Sequence, residues 1–355
     1  MRISSRSLVA ALALASAGTA FAQVSTDPIA PLPAQQPSGM RMPVVHAPAT
    51  QAPVPVVTPP VVVQPPPFWP IADAQELLTF IQSVAADGLA PKDYAPAALA
   101  DDALAAARAG GRAALAFFRR ADLAVEWKAD ESPVTVADRE AEQAIKAVIN
   151  TAFPEDGWLG EETGTAAGTS GRRWIVDPID GTRNFIRGVP LWATLVACEE
   201  DTPRGPRIVA SAVGIPALDE WYDAVLAGGA RCNGTAMRVS GVEQLDQALW
   251  CFETPGWFRR QGLGAVFEIL DEGTALQRGL GDAYGHMLVA SGRAEVVVEP
   301  HLSVWDIAAT SLVVSEAGGR ATDLDGMPSL RTGNAVVTNG ILHERVLEII
   351  SRHRA

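Results

Sequence analysis

The segment Trp174-Ile-Val-Asp-Pro-Ile-Asp-Gly-Thr-Arg-Asn-Phe185 constrains the fold of this chain most, because it ends an apolar run on two carboxylates and a glycine. Trp174, Ile175 and Val176 read as the end of a buried strand, and Pro178 restrains the backbone so that Asp177 and Asp180 project from one turn. Gly181 lets the chain approach a ligand closely. A helix or tight turn after it would aim the free N–H groups of Gly181 and Thr182 at an anion. Paired carboxylates beside such a turn suit hard metal ions held against a phosphate. Read by itself, the same Asp-Pro-x-Asp-Gly spacing is also ordinary turn chemistry.

Other acidic turns follow the same plan. Gly160-Glu161-Glu162 succeeds the short apolar run Gly157-Trp158-Leu159 and adds a carboxylate pair at a second strand end; a solvated charge pair is the plain alternative. Ser303-Val-Trp-Asp306 opens a helical pattern through Ile307, Ala308, Leu312 and Val313 that stops at Gly318-Gly319. Thr135-Val-Ala-Asp138 precedes Ala141, Ala144, Ile145, Val148 and Ile149 at helical intervals. Both have the spacing of a helix capping box, which needs no metal.

With 355 residues, 48% of them hydrophobic, the chain has material for a sizeable core. A formal net charge of -13 argues against nucleic acid or an anionic membrane surface as the main partner. An anionic substrate stays compatible, since divalent cations reverse the field of an acidic pocket. Residues 1–22 read as a signal peptide: Arg2 and Arg6 precede the apolar Leu8 to Leu14, and Ala20-Phe-Ala22 offers a cleavage site. An upstream misassigned start, with a cytoplasmic protein, is the alternative. No later segment has the length and apolarity of a membrane span. Residues 23–67 form a proline-rich run expected to be a disordered, extended linker, and residues 68–99 a short helical unit. Part of that unit, about thirty residues, is similar to the scaffold ahead of some L,D-transpeptidase domains; a small helix packed on the following domain is the alternative. Cys198, Cys232 and Cys251 are few and irregularly spaced, so inert thiols are expected, with a Cys232–Cys251 bridge the alternative in an oxidising compartment.

From Asp101 a helical stripe runs through Leu104, Ala107, Gly111, Ala114, Leu115 and Phe118 to Arg119-Arg120. Strands are expected at Trp174–Val176, Leu191–Cys198, Arg207–Val213, Glu220–Leu226, Ala294–Val298 and Ala335–Thr338. Asn233-Gly234 signals a hairpin that would set Trp221–Val225 near Met237–Val239 as antiparallel strands.

Taken in order, Lys128 with Ser132-Pro-Val-Thr-Val-Ala-Asp138, then Gly160-Glu-Glu162, Asp177 to Thr182, and Trp305-Asp306 with Glu316-Ala-Gly-Gly319, resemble the motifs of the inositol monophosphatase family over residues 100–355. The branch that hydrolyses histidinol phosphate is the most similar: Arg183 follows Asp-Gly-Thr, Gly188-Val-Pro-Leu-Trp192 comes next, and Gly281-Asp-Ala-Tyr-Gly285 precedes Gly292. The resemblance implies an α/β fold, a layered αβαβα sandwich of the inositol monophosphatase and fructose-1,6-bisphosphatase type. It implies a magnesium-dependent phosphomonoesterase with two or three Mg2+ ions. Glu161, Asp177 and the Ile179 carbonyl would hold one ion, and Asp177, Asp180 and Asp306 a second. Glu161 and Thr182 would orient the attacking water, supported by Asp138 and Thr135; the amides of Gly181 and Thr182 would contact phosphate. Glu299, near the substrate's alcohol portion, would pair with the ammonium of histidinol, with Arg183, Asp282 and Asp306 as further contacts; for Arg183 and Asp282 a surface ion pair is the alternative.

A small phosphorylated metabolite is therefore the expected partner, and a homodimer is compatible with the resemblance. Inositol 1-phosphate and 3'-phosphoadenosine 5'-phosphate are the alternative substrates. Another class of reading is an exported envelope scaffold that kept the fold, suggested by the leader and spacer and by the cytoplasmic setting of histidine biosynthesis. His286 reads as a packed helical side chain and His301 as a residue lining the substrate pocket, neither needed as a general acid.

Overall fold

The computed structural model describes residues 96–128, 132–203 and 205–354; the expected signal peptide, the proline-rich segment and most of the 68–99 unit lie outside them. Helix α1 (Pro96–Leu115) begins ahead of the expected domain start at residue 100 and ends before Phe118, which falls in turns. Leu99, Ala100, Ala103, Ala106 and Ala107 recur at helical spacing and are buried. Helix α2 (Val136–Ala152) lies so close to α1 that a Cβ on Gly110 would come within 2.6 Å of Ile145 Cγ1. Only a residue without a side chain admits that approach.

Two sheets organise the rest. The eight-stranded one joins β3 (Gly157–Gly160), β4 (Gly164–Ala166), β5 (Arg172–Asp180), β6 (Ala193–Glu200), β7 (Arg207–Ile215), β8 (Glu220–Val225), β9 (Gly229–Cys232) and β10 (Thr235–Ala236) in the order β10-β9-β8-β7-β6-β5-β3-β4. The five-stranded one joins β11 (Leu249–Cys251), β12 (Leu276–Arg278), β13 (Val296–Glu299), β14 (Arg320–Thr322) and β15 (Ala335–Thr338) in the order β12-β11-β13-β15-β14. A small hairpin, β1 (Val125–Trp127) with β2 (Pro133–Thr135), precedes α2.

Alternation along the strands explains the layering. On β5, Trp174 and Val176 pack with α1 and α2, while Ile175 faces the opposite way. There it meets α6 (Asp282–Ala290) and α7 (Val304–Glu316), which lie between the two sheets. On β13, Val297 joins that inter-sheet core, whereas Val296 and Val298 face α4 (Pro255–Arg260), α5 (Gly264–Gly273) and α8 (His343–His353). The result is the expected α/β/α/β/α sandwich. Both sheets are covered on two faces, which is why their strands read as continuous apolar runs.

Two expectations need correction. Asn233-Gly234 does turn a hairpin, but one joining the short β9 and β10; β8 pairs with β9, and Met237–Val239 form no strand. Asn233 is instead tied to Trp221, donating its N–H to the Trp221 carbonyl at 2.7 Å and accepting the Trp221 N–H at 3.0 Å. The Cys232–Cys251 bridge is absent: all three cysteines are free, and Cys198 and Cys251 are buried in separate strands.

Candidate active site

The Asp177/Asp180 pair arises from a break in the β5 ladder. Asp177 follows Ile175 on the face toward the inter-sheet helices, and simple alternation would send Asp180 to the other face. The β5–β6 register shifts between Asp177 and Asp180, at Pro178 and Ile179. Proline has no N–H to give the ladder, so a bulge there costs little. Ile179 turns its side chain into a separate apolar cluster with Phe185 and Trp192 and donates its N–H to Asp177 Oδ1 at 3.0 Å. The bulge thus brings both aspartates to one side.

Gly181 follows with φ 79 and ψ 38, a left-handed conformation that glycine adopts without strain. A short helix, α3 (Thr182–Ile186), starts directly after it. Of its first-turn N–H groups, that of Asn184 already donates to the Gly181 carbonyl at 2.8 Å, so the amides expected to meet an anion are those of Gly181 and Thr182, at the helix start. The Thr182 hydroxyl donates to the Ile179 carbonyl at 3.0 Å, fixing that expected metal ligand.

Asp306 arrives from α7, where Ser303 is the N-cap and donates its backbone N–H to Asp306 Oδ2 at 2.6 Å. One oxygen each of Asp177, Asp180 and Asp306 then lies within 4.8 Å of the others. Asp180 accepts the N–H of Ala283 at 2.8 Å, so the start of α6 is also anchored to the cluster. Burial, followed by repulsion from Glu161, Asp180 and Asp306, lifts the Asp177 pKa well above the usual carboxylate range. Asp180 is raised by burial and then by Asp282 and Asp306. Burial likewise pushes Asp306 up to about 7, against the opposing hydrogen bond from Ser303.

Glu161 stands at the end of β3, parallel to β5, and donates its N–H to the Val176 carbonyl at 3.1 Å, next to Asp177. Its negative charge is among the causes that raise Asp177, after burial. Lys128 Nζ bonds Glu161 Oε1 at 2.8 Å and Glu162 Oε1 at 2.7 Å, so the solvated-pair alternative for these glutamates fails. Burial opposes the Lys128 charge, but the two glutamate bonds outweigh it and raise its pKa. Asp138 Oδ2 accepts the Thr135 N–H and hydroxyl, each at 2.7 Å. Its Oδ1 is buried with no partner, and burial lifts its pKa to about 6.

A second acidic group lies beside the first. Glu299 continues the Val297 face of β13 and accepts the Asp282 N–H at 2.8 Å. Burial, then Asp282 and Glu253, raise Glu299 well above its ordinary pKa, and burial lifts Asp282 to about 6. Asp282 is half-buried and turned toward Glu299 through its backbone N–H. Glu253 was not singled out by any motif. It is raised to about 7 by burial and Asp282, with Arg183 acting in the opposite sense. Its position two residues beyond β11, a carboxylate after an apolar run, is the signal that reveals it. His286 is buried against Thr310, its Nδ1 at 3.0 Å from the hydroxyl, and burial depresses its pKa to about 4. His301 is exposed and stacks on Trp257 with centroids 4.3 Å apart.

The donor set fits a hard cation. The converging groups are carboxylate oxygens, Lys128 bonds Glu161 and Glu162, and, after burial, mutual repulsion within the trio is among the causes that raise Asp177 and Asp180. Buried like charges of this kind are stabilised by a metal ion between them.

The comparisons agree with this geometry. The sequence model of the Inositol monophosphatase family matches residues 95–355. A histidinol-phosphatase of Mycobacterium tuberculosis is 42% identical over 235 residues, 65% of this chain and 89% of the relative. An inositol-1-monophosphatase of Mesorhizobium japonicum is 36% identical over 253 residues, 70% of this chain and 94% of the relative. Among solved structures, an IMPase of Thermotoga maritima superposes with a TM-score of 0.64 at 31% identity, covering 71% of this chain and 96% of that one. With Asp177, Asp180 and Asp306 brought together from separate elements and the match extending over the whole sandwich, this chain belongs to the inositol monophosphatase family.

Proposed function

We propose that this phosphoric monoester hydrolase acts on histidinol phosphate, with magnesium held by Glu161, Asp177, Asp180, Asp306 and the Ile179 carbonyl. The observation that carries the reading is that successive N–H groups at the start of α6 go to two carboxylates, Asp282 to Glu299 and Ala283 to Asp180, each at 2.8 Å, which sets Glu299 and Asp282 beside the aspartate trio. Magnesium in two or three sites would neutralise phosphate charge and raise the reactivity of water. The chain's own groups supply the rest. N–H groups of Gly181 and Thr182 face the phosphate, Glu161 with Thr182 orients the water and takes its proton, and Thr135 holds Asp138 in support. Glu299, Asp282 and Glu253 offer negative charge to an alcohol bearing an ammonium, a feature that histidinol has and inositol lacks. Arg183 moderates Glu253. The greater identity to the histidinol-phosphatase than to the inositol-1-monophosphatase points the same way.

The test is kcat/KM with magnesium on histidinol phosphate, inositol 1-phosphate and 3'-phosphoadenosine 5'-phosphate. Histidinol phosphate is expected to lead, and equal slow rates on all would defeat the assignment. Glu299→Gln should lower kcat/KM for histidinol phosphate by about 30-fold or more, because one partner of a buried charge pair is lost. Inositol 1-phosphate should lose less, since an amide still hydrogen-bonds a hydroxyl. Residues 1–22 support export as a further part of this reading, and sequencing the mature N-terminus from cells checks it: cleavage after Ala22 is expected.

A further inference from the structure

Glu142 is a carboxylate that neither the acidic motifs nor the proposed chemistry uses. It sits on α2, wholly buried, and among the described residues no lysine or arginine pairs with it. A carboxylate removed from water needs hydrogen-bond donors, and Glu142 has them from one place. Its Oε2 accepts the N–H of Glu162 at 2.8 Å and its Oε1 the N–H of Thr163 at 3.0 Å. The Thr163 hydroxyl also donates to Oε1, and the Trp158 indole approaches it at 3.4 Å. Every one of these donors belongs to β3 or to the turn that carries Glu161.

That turn reverses the chain from β3 into β4, with Gly160 paired to Gly164 across it. Glu161 is thereby held on both sides: its own N–H goes to Val176, adjoining Asp177, and the next two N–H groups go to Glu142. Gly160 bears independent witness, because a Cβ there would overlap Glu142 Oε1 and crowd the Trp158 indole at 2.6 Å. Glycine at this position makes room for the carboxylate.

We propose that Glu142 is a positioning residue for the metal centre, gripping the Glu161-Glu162-Thr163 turn so that Glu161 meets Asp177 and both glutamates meet Lys128. The inference rests on the magnesium reading above. Glu142 touches neither substrate nor ion; it acts through the backbone of the ligand-bearing turn.

Glu142→Gln tests it. The amide keeps the shape but has one acceptor oxygen, so the N–H of Glu162 or of Thr163 must face an NH2 group. Binding of Mg2+ alone, measured by titration calorimetry, is expected to weaken by about 10- to 100-fold, the usual effect of removing a group that orients a ligand. The magnesium concentration for half-maximal turnover should rise in parallel, with kcat at saturating magnesium reduced much less. Thr163→Val, which removes only the hydroxyl donor, should move both quantities the same way by a smaller factor. Wild-type Mg2+ affinity in Glu142→Gln overturns the proposal, even if its melting temperature falls, since that pattern marks a merely structural carboxylate. Should Glu142→Gln not fold, wild-type affinity in Thr163→Val overturns it instead. Parent protein that binds no Mg2+ in the same titration would remove the metal reading itself, a different failure from unchanged affinity in the variant.

Discussion

Asp138 and Asp306 occupy equivalent places in two different helices. Each is the third residue after a Thr or Ser N-cap, and each accepts the cap residue's backbone N–H, at 2.7 Å and 2.6 Å respectively. The cap uses one carboxylate oxygen and leaves the other over. In α7 the surplus charge faces Asp177 and Asp180. In α2 Asp138 Oδ1 is buried without a partner, with Glu161 close enough to raise its pKa. Capping and site chemistry are therefore not competing explanations of the Thr/Ser-x-x-Asp pattern. The cap holds a carboxylate through one oxygen and leaves its second oxygen, at no further conformational cost, free for the acidic cluster in α7 and unpartnered in α2.

The two positions should nonetheless differ in weight, and substitution by Asn separates them because an amide can keep the cap bond through its oxygen. Asp306→Asn removes charge from the trio, and turnover is expected to fall on the order of 10³-fold, comparable to losing a principal electrostatic group. Asp138→Asn removes charge one step away, and a loss of about 10- to 100-fold is expected. Circular dichroism should show both folded. Equal losses would make Asp138 a direct member of the centre and collapse the distinction.

How far the sequence reveals this depends on whether a residue's role is local. Asp177, Asp180, Gly181 and Asp306 are legible because strand end, bulge and cap are set by near neighbours: Pro178 marks the bulge, and Ser303 the cap. The buried strands Val296–Glu299 and Ala335–Thr338 show in their β-branched runs. Glu142 does not show, since its burial and its donors come from the Glu162–Thr163 turn, twenty residues further along the chain, and Glu253 shows only as a carboxylate shortly after the apolar run of β11. Met237–Val239 misled for the same reason: a turn signal fixes the reversal, while the strand it returns to depends on which backbone is free to pair.

A pH scan sharpens the comparison in the absence of metal. Carboxylates whose folded pKa is raised stabilise the protein fully below their unfolded values near 4, and lose that contribution as pH rises through the folded pKa. Asp138 and Asp282 are raised to about 6, Asp306 and Glu253 to about 7, and Asp177, Asp180 and Glu299 in the same direction. His286 and His343, depressed to about 4, work oppositely, losing stability as pH falls below their unfolded value. The carboxylates outnumber them, so the melting temperature in EDTA should fall between pH 4 and pH 7 by several degrees. Excess Mg2+ should abolish most of that slope, and Asp306→Asn should flatten it in EDTA more than Asp138→Asn. A slope untouched by magnesium would place the strain elsewhere.

The smallest expected effects lie in the cap residues themselves. Thr135 supplies more than its backbone: its hydroxyl accepts the Ala137 N–H at 3.1 Å and donates to Asp138 Oδ2. At Ser303 the bond to Asp306 comes from the backbone N–H, which alanine retains. Either substitution by Ala should cost about 1 kcal/mol of stability, the usual worth of a capping hydroxyl, and lower the melting temperature by roughly 2–4 °C. Activity should divide them. Ser303→Ala is expected to keep close to wild-type kcat/KM, because Asp306 stays anchored through the main chain. Thr135→Ala frees one hydrogen bond of a buried carboxylate that already has an unpartnered oxygen, so Asp138 becomes harder to ionise and more mobile. A severalfold drop in kcat with little change in KM is the expected signature, and a loss in Ser303→Ala as large as that in Thr135→Ala would mean that the hydroxyls, not the backbone, aim these aspartates.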